Sequence, residues 1–190
     1  MEIIKQSLSA AAEAAALLKK GEVIICPTDT VYGFLADATN KKAVGKIYKI
    51  KKRPRSKPLP VFVKNLAMAK EIAMIDARQA KIFVKFWPGK YTFILKRKPG
   101  VKLYGMAKDT IAIRIPKHAF LQKLLKKVNR PLVQTSVNIS AQEPLKNIEQ
   151  IIATFGKNRL VGLIIDTGAL KGTKPSKVID FTSIKPVRLR

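Results

Sequence analysis

The chain has 190 residues, 47% of them hydrophobic, which is enough apolar material for one domain with a real core and excludes a disordered chain. Against 12 Asp and Glu stand 38 Lys and Arg, a net charge of +26, and such a field draws in polyanions at the cost of self-repulsion in the folded state. One Cys and one His exclude an internal disulfide and leave no Cys/His cluster for structural zinc. No apolar run approaches the roughly 20 residues of a membrane-spanning helix. The opening Met1-Glu2-Ile3-Ile4-Lys5-Gln6 lacks the basic-then-apolar layout of a secretory signal, so the expectation is a cytoplasmic protein with no membrane contact.

In chain order, the alanine-rich stretch 7–20, with Leu8, Leu17 and Leu18 and the closing Lys19-Lys20-Gly21, predicts a helix ended by cations and a glycine. Val23 to Cys26 predicts a β-branched strand stopped by Pro27 and followed by the hydroxyl-rich loop Pro27-Thr28-Asp29-Thr30-Val31-Tyr32-Gly33. In open α/β sheets, ligand crevices lie at such strand ends. Asn40 to Ile50 has helical spacing, and Leu59 to Val63 reads as a strand. Between them lies Ile50-Lys51-Lys52-Arg53-Pro54-Arg55-Ser56-Lys57-Pro58-Leu59, whose prolines keep it from continuing as helix. A stiffened cationic connector suits a phosphate- or carboxylate-rich ligand; the plainer reading is a solvated basic loop.

Asn65 to Ala73 predicts a short helix, and Asp76 with Gln79 three residues later predicts a capping box opening a helix to Phe86. Strands follow at 91–95 and 111–115, a basic amphipathic helix at 119–128, and a strand at 132–135 that leads into Ser136-Val137-Asn138-Ile139-Ser140. A helix at 147–155, in which Asn147 and Gln150 can cap reciprocally, precedes short strands at 163–165, 178–181 and 187–189. The alternation predicts a single α/β domain over residues 1–190. Cys26 ends an apolar run and reads as a buried thiol; a nucleophile–base pair with His118 is the alternative.

Neither a P-loop nor a dinucleotide fingerprint is present, and no carboxylate pair stands out as an acid/base couple. An enzyme built from these residues would work by positioning and charge neutralisation, which fits phosphoryl or nucleotidyl transfer. Five motifs then stand in register: Pro27-Thr28-Asp29-Thr30-Val31-Tyr32-Gly33, Lys51-x-Arg53, Phe86-Trp87-Pro88-Gly89, Ala112-Ile113-Arg114-Ile115-Pro116, and Ser136-x-Asn138 with Ser140. In these the chain resembles the YrdC/TsaC family of L-threonylcarbamoyladenylate synthases over nearly its whole length. The resemblance implies a twisted mixed sheet with flanking helices around a basic central cavity. It implies that L-threonine, bicarbonate and ATP are joined to threonylcarbamoyl-AMP and pyrophosphate, with Mg2+ held mainly through the ATP phosphates. A downstream threonylcarbamoyl transferase would pass the product to tRNA.

The resemblance assigns Lys51 and Arg53 to the triphosphate and the bicarbonate-derived oxygens, and Ser136 and Asn138 to orienting nucleotide and carbamate. It places Thr30, Arg114 and Ser176 at threonine, and Lys57, Thr110 and Arg190 at the nucleotide. The chain departs from the family pattern at Phe62 (often His), Lys90 and Tyr91 (Pro-Leu), Ala141 (Gly) and Lys177 (Thr). Two other readings stand beside it: a non-catalytic module for tRNA or double-stranded RNA, which the charge alone would support, and a paralogue acting on a related adenylate or amino acid.

Overall fold

The computed structural model describes residues 2–7, 9–170, 175–183 and 185–190. Leu8, which the sequence places in the first helix, lies outside the described residues. Among the described residues, ten strands form one mixed sheet in the order β1-β8-β2-β3-β7-β4-β6-β5-β9-β10. They are β1 (Glu2–Lys5), β2 (Val23–Cys26), β3 (Gly33–Asp37), β4 (Val61–Phe62), β5 (Tyr91–Lys96), β6 (Thr110–Arg114), β7 (Leu132–Ser136), β8 (Val161–Asp166), β9 (Lys177–Asp180) and β10 (Val187–Arg188). The helices are α1 (Ala10–Lys19), α2 (Lys41–Lys51), α3 (Leu66–Ile72), α4 (Ala77–Phe83), α5 (Ala119–Val128) and α6 (Ile148–Phe155). Among the described residues, no helix is long and apolar enough to cross a membrane.

Local chemistry explains the helix ends. Asn40, Asn65 and Asn147 each accept from the first-turn N–H groups of α2, α3 and α6, and Asp76 with Gln79 forms the expected capping box of α4. The α4 segment leaves helical geometry after Phe83, and tight i→i−3 bonds at Lys85 and Phe86 finish the turn that the sequence reading had counted as helix. Two strands escaped the sequence reading. Glu2–Lys5 is a four-residue edge strand, and Gly33–Asp37 is buried at every position, so it carries no alternation to be read.

Pleating splits the core into two clusters. One face carries Val23, Ile25, Phe34, Val61, Phe93, Ile113 and Val133 and is covered by α2, α3, α4 and α6. The opposite face carries Ile24, Cys26, Leu35, Phe62, Leu132, Leu163 and Ile165 under α1 and α5. Alanines at 10, 11, 14 and 15 let α1 pack beside Leu121, Leu124, Leu125 and Val128 of α5. Those two helices cover the β1-β8-β2-β3-β7 half of that face. Among the described residues, the same face of β6, β5 and β9, with the Ser136 end of β7, has no helix over it, and there the sheet hollows.

After β7 the chain turns through Ala141, whose φ is +70°. This is the position where the family pattern has glycine, and an alanine Cβ is crowded in left-handed geometry. Ala141→Gly should therefore raise folding stability by about 1 kcal/mol, read as a higher urea midpoint with unchanged slope.

Candidate active site

The hollow is a cavity of about 480 Å³, of the size that small-molecule sites occupy. Its floor is one pleat row of the uncovered sheet: Thr92 and Ile94 on β5, Thr110, Ala112 and Arg114 on β6, Gln134 and Ser136 on β7, and Val178 on β9. Loops at strand ends make the rim, bringing Thr30, Arg53, Met106 and Pro144, while Ser176, Leu189 and Arg190 close one side. The charged side chains lining it, among the described residues, are Arg53, Arg114 and Arg190; no carboxylate and no lysine is among them. Seven of the ten residues singled out by sequence thus line one cavity: Thr30, Arg53, Thr110, Arg114, Ser136, Ser176 and Arg190.

Three do not. Lys51 was expected on the cationic connector, facing phosphate. It is instead the last residue of α2, only 1% exposed, and its ammonium is used up inside the protein. Its Nζ donates to the Ser136 carbonyl at 2.6 Å, the Asn138 carbonyl at 2.9 Å and Asn138 Oδ1 at 2.8 Å. The Lys51 carbonyl accepts from Ser140 N–H at 2.8 Å. Asn138, also buried, uses Oδ1 to accept from Lys51 and from Ser136 Oγ (2.6 Å) and donates Nδ2 to the carbonyls of Ile139 and Gln142. Both residues therefore stand behind the cavity wall. Lys57 is exposed and off the lining; what it contributes is its carbonyl, which accepts from Arg53 Nε at 3.1 Å and Tyr48 Oη at 3.1 Å.

Arg53 follows Lys52, whose φ of +50° turns the chain out of α2. Bonds to the carbonyls of Lys57 and Pro58 hold its guanidinium at the cavity edge. Arg114 is held more tightly, being 2% exposed. Its Nη2 lies 2.6 Å from Asp29 Oδ1, Nε donates to the Gly89 carbonyl at 3.0 Å, and Nη1 to Thr30 Oγ1 at 3.3 Å. Phe62 lies beneath it, ring centroid 5.6 Å from Cζ, so the phenylalanine where the family often has histidine supports Arg114 without lining the cavity. Burial lowers the Arg114 pKa, Asp29 opposes that, and nearby Arg190 adds to it. Gly89 has no room to change, because a Cβ there would meet the Phe86 carbonyl oxygen at 2.3 Å. The Trp87-Pro88 bond that precedes it is cis.

The hydroxyls have a definite polarity. Thr28 Oγ1 donates to the Val31 carbonyl at 2.7 Å, accepts from the N–H groups of Thr30 and Val31, and lies 2.9 Å from Thr30 Oγ1. Ser136 commits its proton to Asn138 Oδ1. Ser136 therefore turns lone pairs, not its proton, toward the cavity, and Thr30 Oγ1, which accepts one bond from Arg114, keeps a second lone pair for a donor such as an amine.

Sequence reasoning passed over Asp29, the counter-charge of Arg114, though it lies inside a quoted motif. It also passed over Thr92, whose place on the cavity row was open to reading from the alternation of β5. Tyr91 and Lys177, two departures from the family pattern, are direct register partners with the ammonium 5.4 Å from the ring centroid, so they compensate one another. Cys26 and His118 do other work. Burial pushes the Cys26 thiol up under α1 and α5, and His118 accepts from Leu121 N–H as the cap of α5. Tyr32 and Trp87 are core residues, each with its polar atom bonded to backbone, Tyr32 Oη to Gly168 O and Trp87 Nε1 to Tyr91 O.

Residues 16–190 match the Sua5/YciO/YrdC family model, whose description reads telomere recombination. The chain belongs to this family. A curated relative in Methanocaldococcus jannaschii, named putative threonylcarbamoyl-AMP synthase, is 39% identical over 90% of this chain and 79% of its own length. The threonylcarbamoyl-AMP synthase of Pyrococcus abyssi is 34% identical over 93% of this chain, and this chain spans only 52% of that protein. The structure of P. abyssi Sua5 complexed with L-threonine matches all of this chain and 56% of that one, with TM-score 0.88 and 30% identity. E. coli YciO matches all of this chain and 92% of its own, with TM-score 0.86 and 29% identity.

Burial and the charge of Arg53 pull the Lys51 pKa down to about 7, against the pull of three oxygens that only an ammonium can satisfy with three protons. With the folded pKa below the unfolded one, the unfolded chain holds more protons between about pH 7 and pH 10, and stability rises across that window. Compared with Lys51→Met, the parent protein should gain stability as pH is raised from 7 to 10, measured by urea unfolding at each pH.

Proposed function

We propose that this protein is an L-threonylcarbamoyladenylate synthase, a nucleotidyltransferase making threonylcarbamoyl-AMP and pyrophosphate from L-threonine, bicarbonate and ATP. What carries the reading is the juxtaposition of Arg114 and Thr30. Arg114 keeps one N–H on each terminal nitrogen beyond those given to Asp29 and Thr30, the number a carboxylate takes as a fork. Thr30 Oγ1 accepts from the same guanidinium and keeps one lone pair for a second donor. A cation beside an acceptor is the complement of an α-amino acid's carboxylate and amine. The names of the relatives and the threonine bound to P. abyssi Sua5 support the same substrate.

In the proposed reaction, the deprotonated amine attacks bicarbonate carbon and water leaves, giving a carbamate. A carbamate oxygen then attacks the α-phosphorus of ATP, and the pyrophosphate oxygen takes the bonding pair as it departs. Arg53, with Thr110 and Arg190 on the same cavity, would neutralise phosphate oxygens, which is the contribution such transfers need. Ser136 would accept from the nucleotide or the carbamate N–H. Lys51 and Asn138 act as positioning residues, fixing Ser136 and its hydroxyl proton from behind. Mg2+ would arrive with the ATP, held mainly by phosphate oxygens and water. The product would go to a threonylcarbamoyl transferase acting on tRNA in the cytoplasm.

Pyrophosphate release that needs threonine, bicarbonate and ATP together, with Mg2+ present, is the expected result. Arg53→Ala should lower it by at least ~100-fold. Other amino acids belong in the same assay, where preferential use of one of them would mark a paralogue. Tight RNA binding with no pyrophosphate release would leave the RNA module instead.

A further inference from the structure

We propose that Thr92 is a specificity-determining residue that hydrogen-bonds the β-hydroxyl of the amino-acid substrate; this rests on the synthase reading above. Thr92 lies on the cavity row of β5, is buried, and is one of the residues that line the cavity. The antiparallel register pairs Phe93 with Ile113, so the next step along it sets Thr92 beside Arg114. On its other side the parallel register pairs it with Val178 of β9, and Thr92 Oγ1 lies 3.0 Å from Ser176 Oγ.

Proton accounting singles this pair out. Two hydroxyls carry two protons, and their mutual bond uses one; the second proton has no acceptor among the described residues. A cavity-wall hydroxyl pair with a donor and lone pairs left over matches a group that both accepts and donates, and an alcohol is such a group. Arg114 already offers the two N–H groups that a carboxylate needs, and Thr30 takes the amine. In an α-amino acid held that way, the β-carbon is two bonds from the carboxylate carbon, and the strand beside Arg114 is the one that carries Thr92. Ile94 and Val178 flank Thr92 on the same row and offer an apolar wall to the γ-methyl. Serine would lose that methyl contact and 2-aminobutyrate the hydroxyl bond. A site that hydrogen-bonds a substrate hydroxyl rejects the analogue lacking it far more strongly than it rejects the loss of one methylene.

The experiment measures pyrophosphate release with L-threonine and with L-2-aminobutyrate, for the parent protein, Thr92→Val and Thr92→Ser. Thr92→Val keeps the shape and removes the hydroxyl. It should cut the threonine-over-2-aminobutyrate ratio of kcat/KM by about 10-fold or more. Thr92→Ser should restore most of that ratio, and the far-ultraviolet circular dichroism of both variants should match the parent. Equal losses for the two amino acids in Thr92→Val would assign the hydroxyl to the carboxylate or to packing, and would overturn this inference alone. A parent protein that releases no pyrophosphate with threonine overturns the synthase reading, and the role of Thr92 with it.

Discussion

The ammonium of Lys51 ties the last turn of α2 to the end of β7 through three oxygens, and the cavity's shape depends on that knot. An ammonium has three protons and no acceptor, so three converging oxygens fill its valence and fix its direction. Leaving any of them unpaired in a buried place would cost on the order of 1–3 kcal/mol. The knot also determines which way neighbouring groups point. Asn138 Oδ1 faces Lys51 because Nδ2 is held by two carbonyls on the opposite side, and the proton of Ser136 then has only Oδ1 to go to. A cation that touches no ligand thereby sets the hydrogen-bond polarity of a hydroxyl that lines the cavity.

The cavity itself follows from incomplete cover. Two helices of modest length are enough to bury the apolar side chains on one half of a face, and where the helices stop the sequence interleaves polar residues with Ile94, Ala112 and Val178 on that face. Leu35, Ile24 and Leu163 lie under α1 and α5, whereas the continuing row reads Thr92, Thr110, Arg114 and Ser136. Polar groups there cannot be buried without partners, so they are left to one another, to backbone carbonyls and to a ligand. Asp29 and Gly89 are the price of keeping a guanidinium in so dry a place, since burial alone would disfavour its charge.

Much of this was legible in the chain, for reasons tied to particular residues. The 3.6-residue spacing of Leu121, Leu124, Leu125 and Val128 and the Asp76–Gln79 box carry their structure openly, because neighbouring positions determine them. Strand β3 was not legible, since burial on both faces erases alternation. The side of the wall on which Lys51 stands was hidden for a geometric reason. Residues two apart share a face on a strand but not at a helix end, and the left-handed residue Lys52 swings Arg53 outward just as Lys51 points in. The pair reads as one motif in sequence and works as two devices in space. Asp29 and Thr92 were hidden differently, because their roles depend on partners 85 and 84 positions away.

The charge of the whole chain and the charge of the site then separate. Among the described residues, arginines alone supply the cavity's cations, and each is fixed by carbonyls or a carboxylate, as a planar fork allows. The described lysines lie off the cavity lining. Lys41, Lys42, Lys46 and Lys49 line a groove along α2 with Arg55, and Lys96, Lys98, Lys102 and Lys108 line another beside the end of β5. A flexible ammonium on a solvated surface contributes long-range attraction without fixed geometry, and salt screens that attraction beyond about 10 Å. The net charge of +26 can gather nucleotides or RNA toward the molecule, but it cannot orient a phosphate for in-line attack. Orientation rests with three held guanidinium groups and a few hydroxyls fixed on the cavity wall.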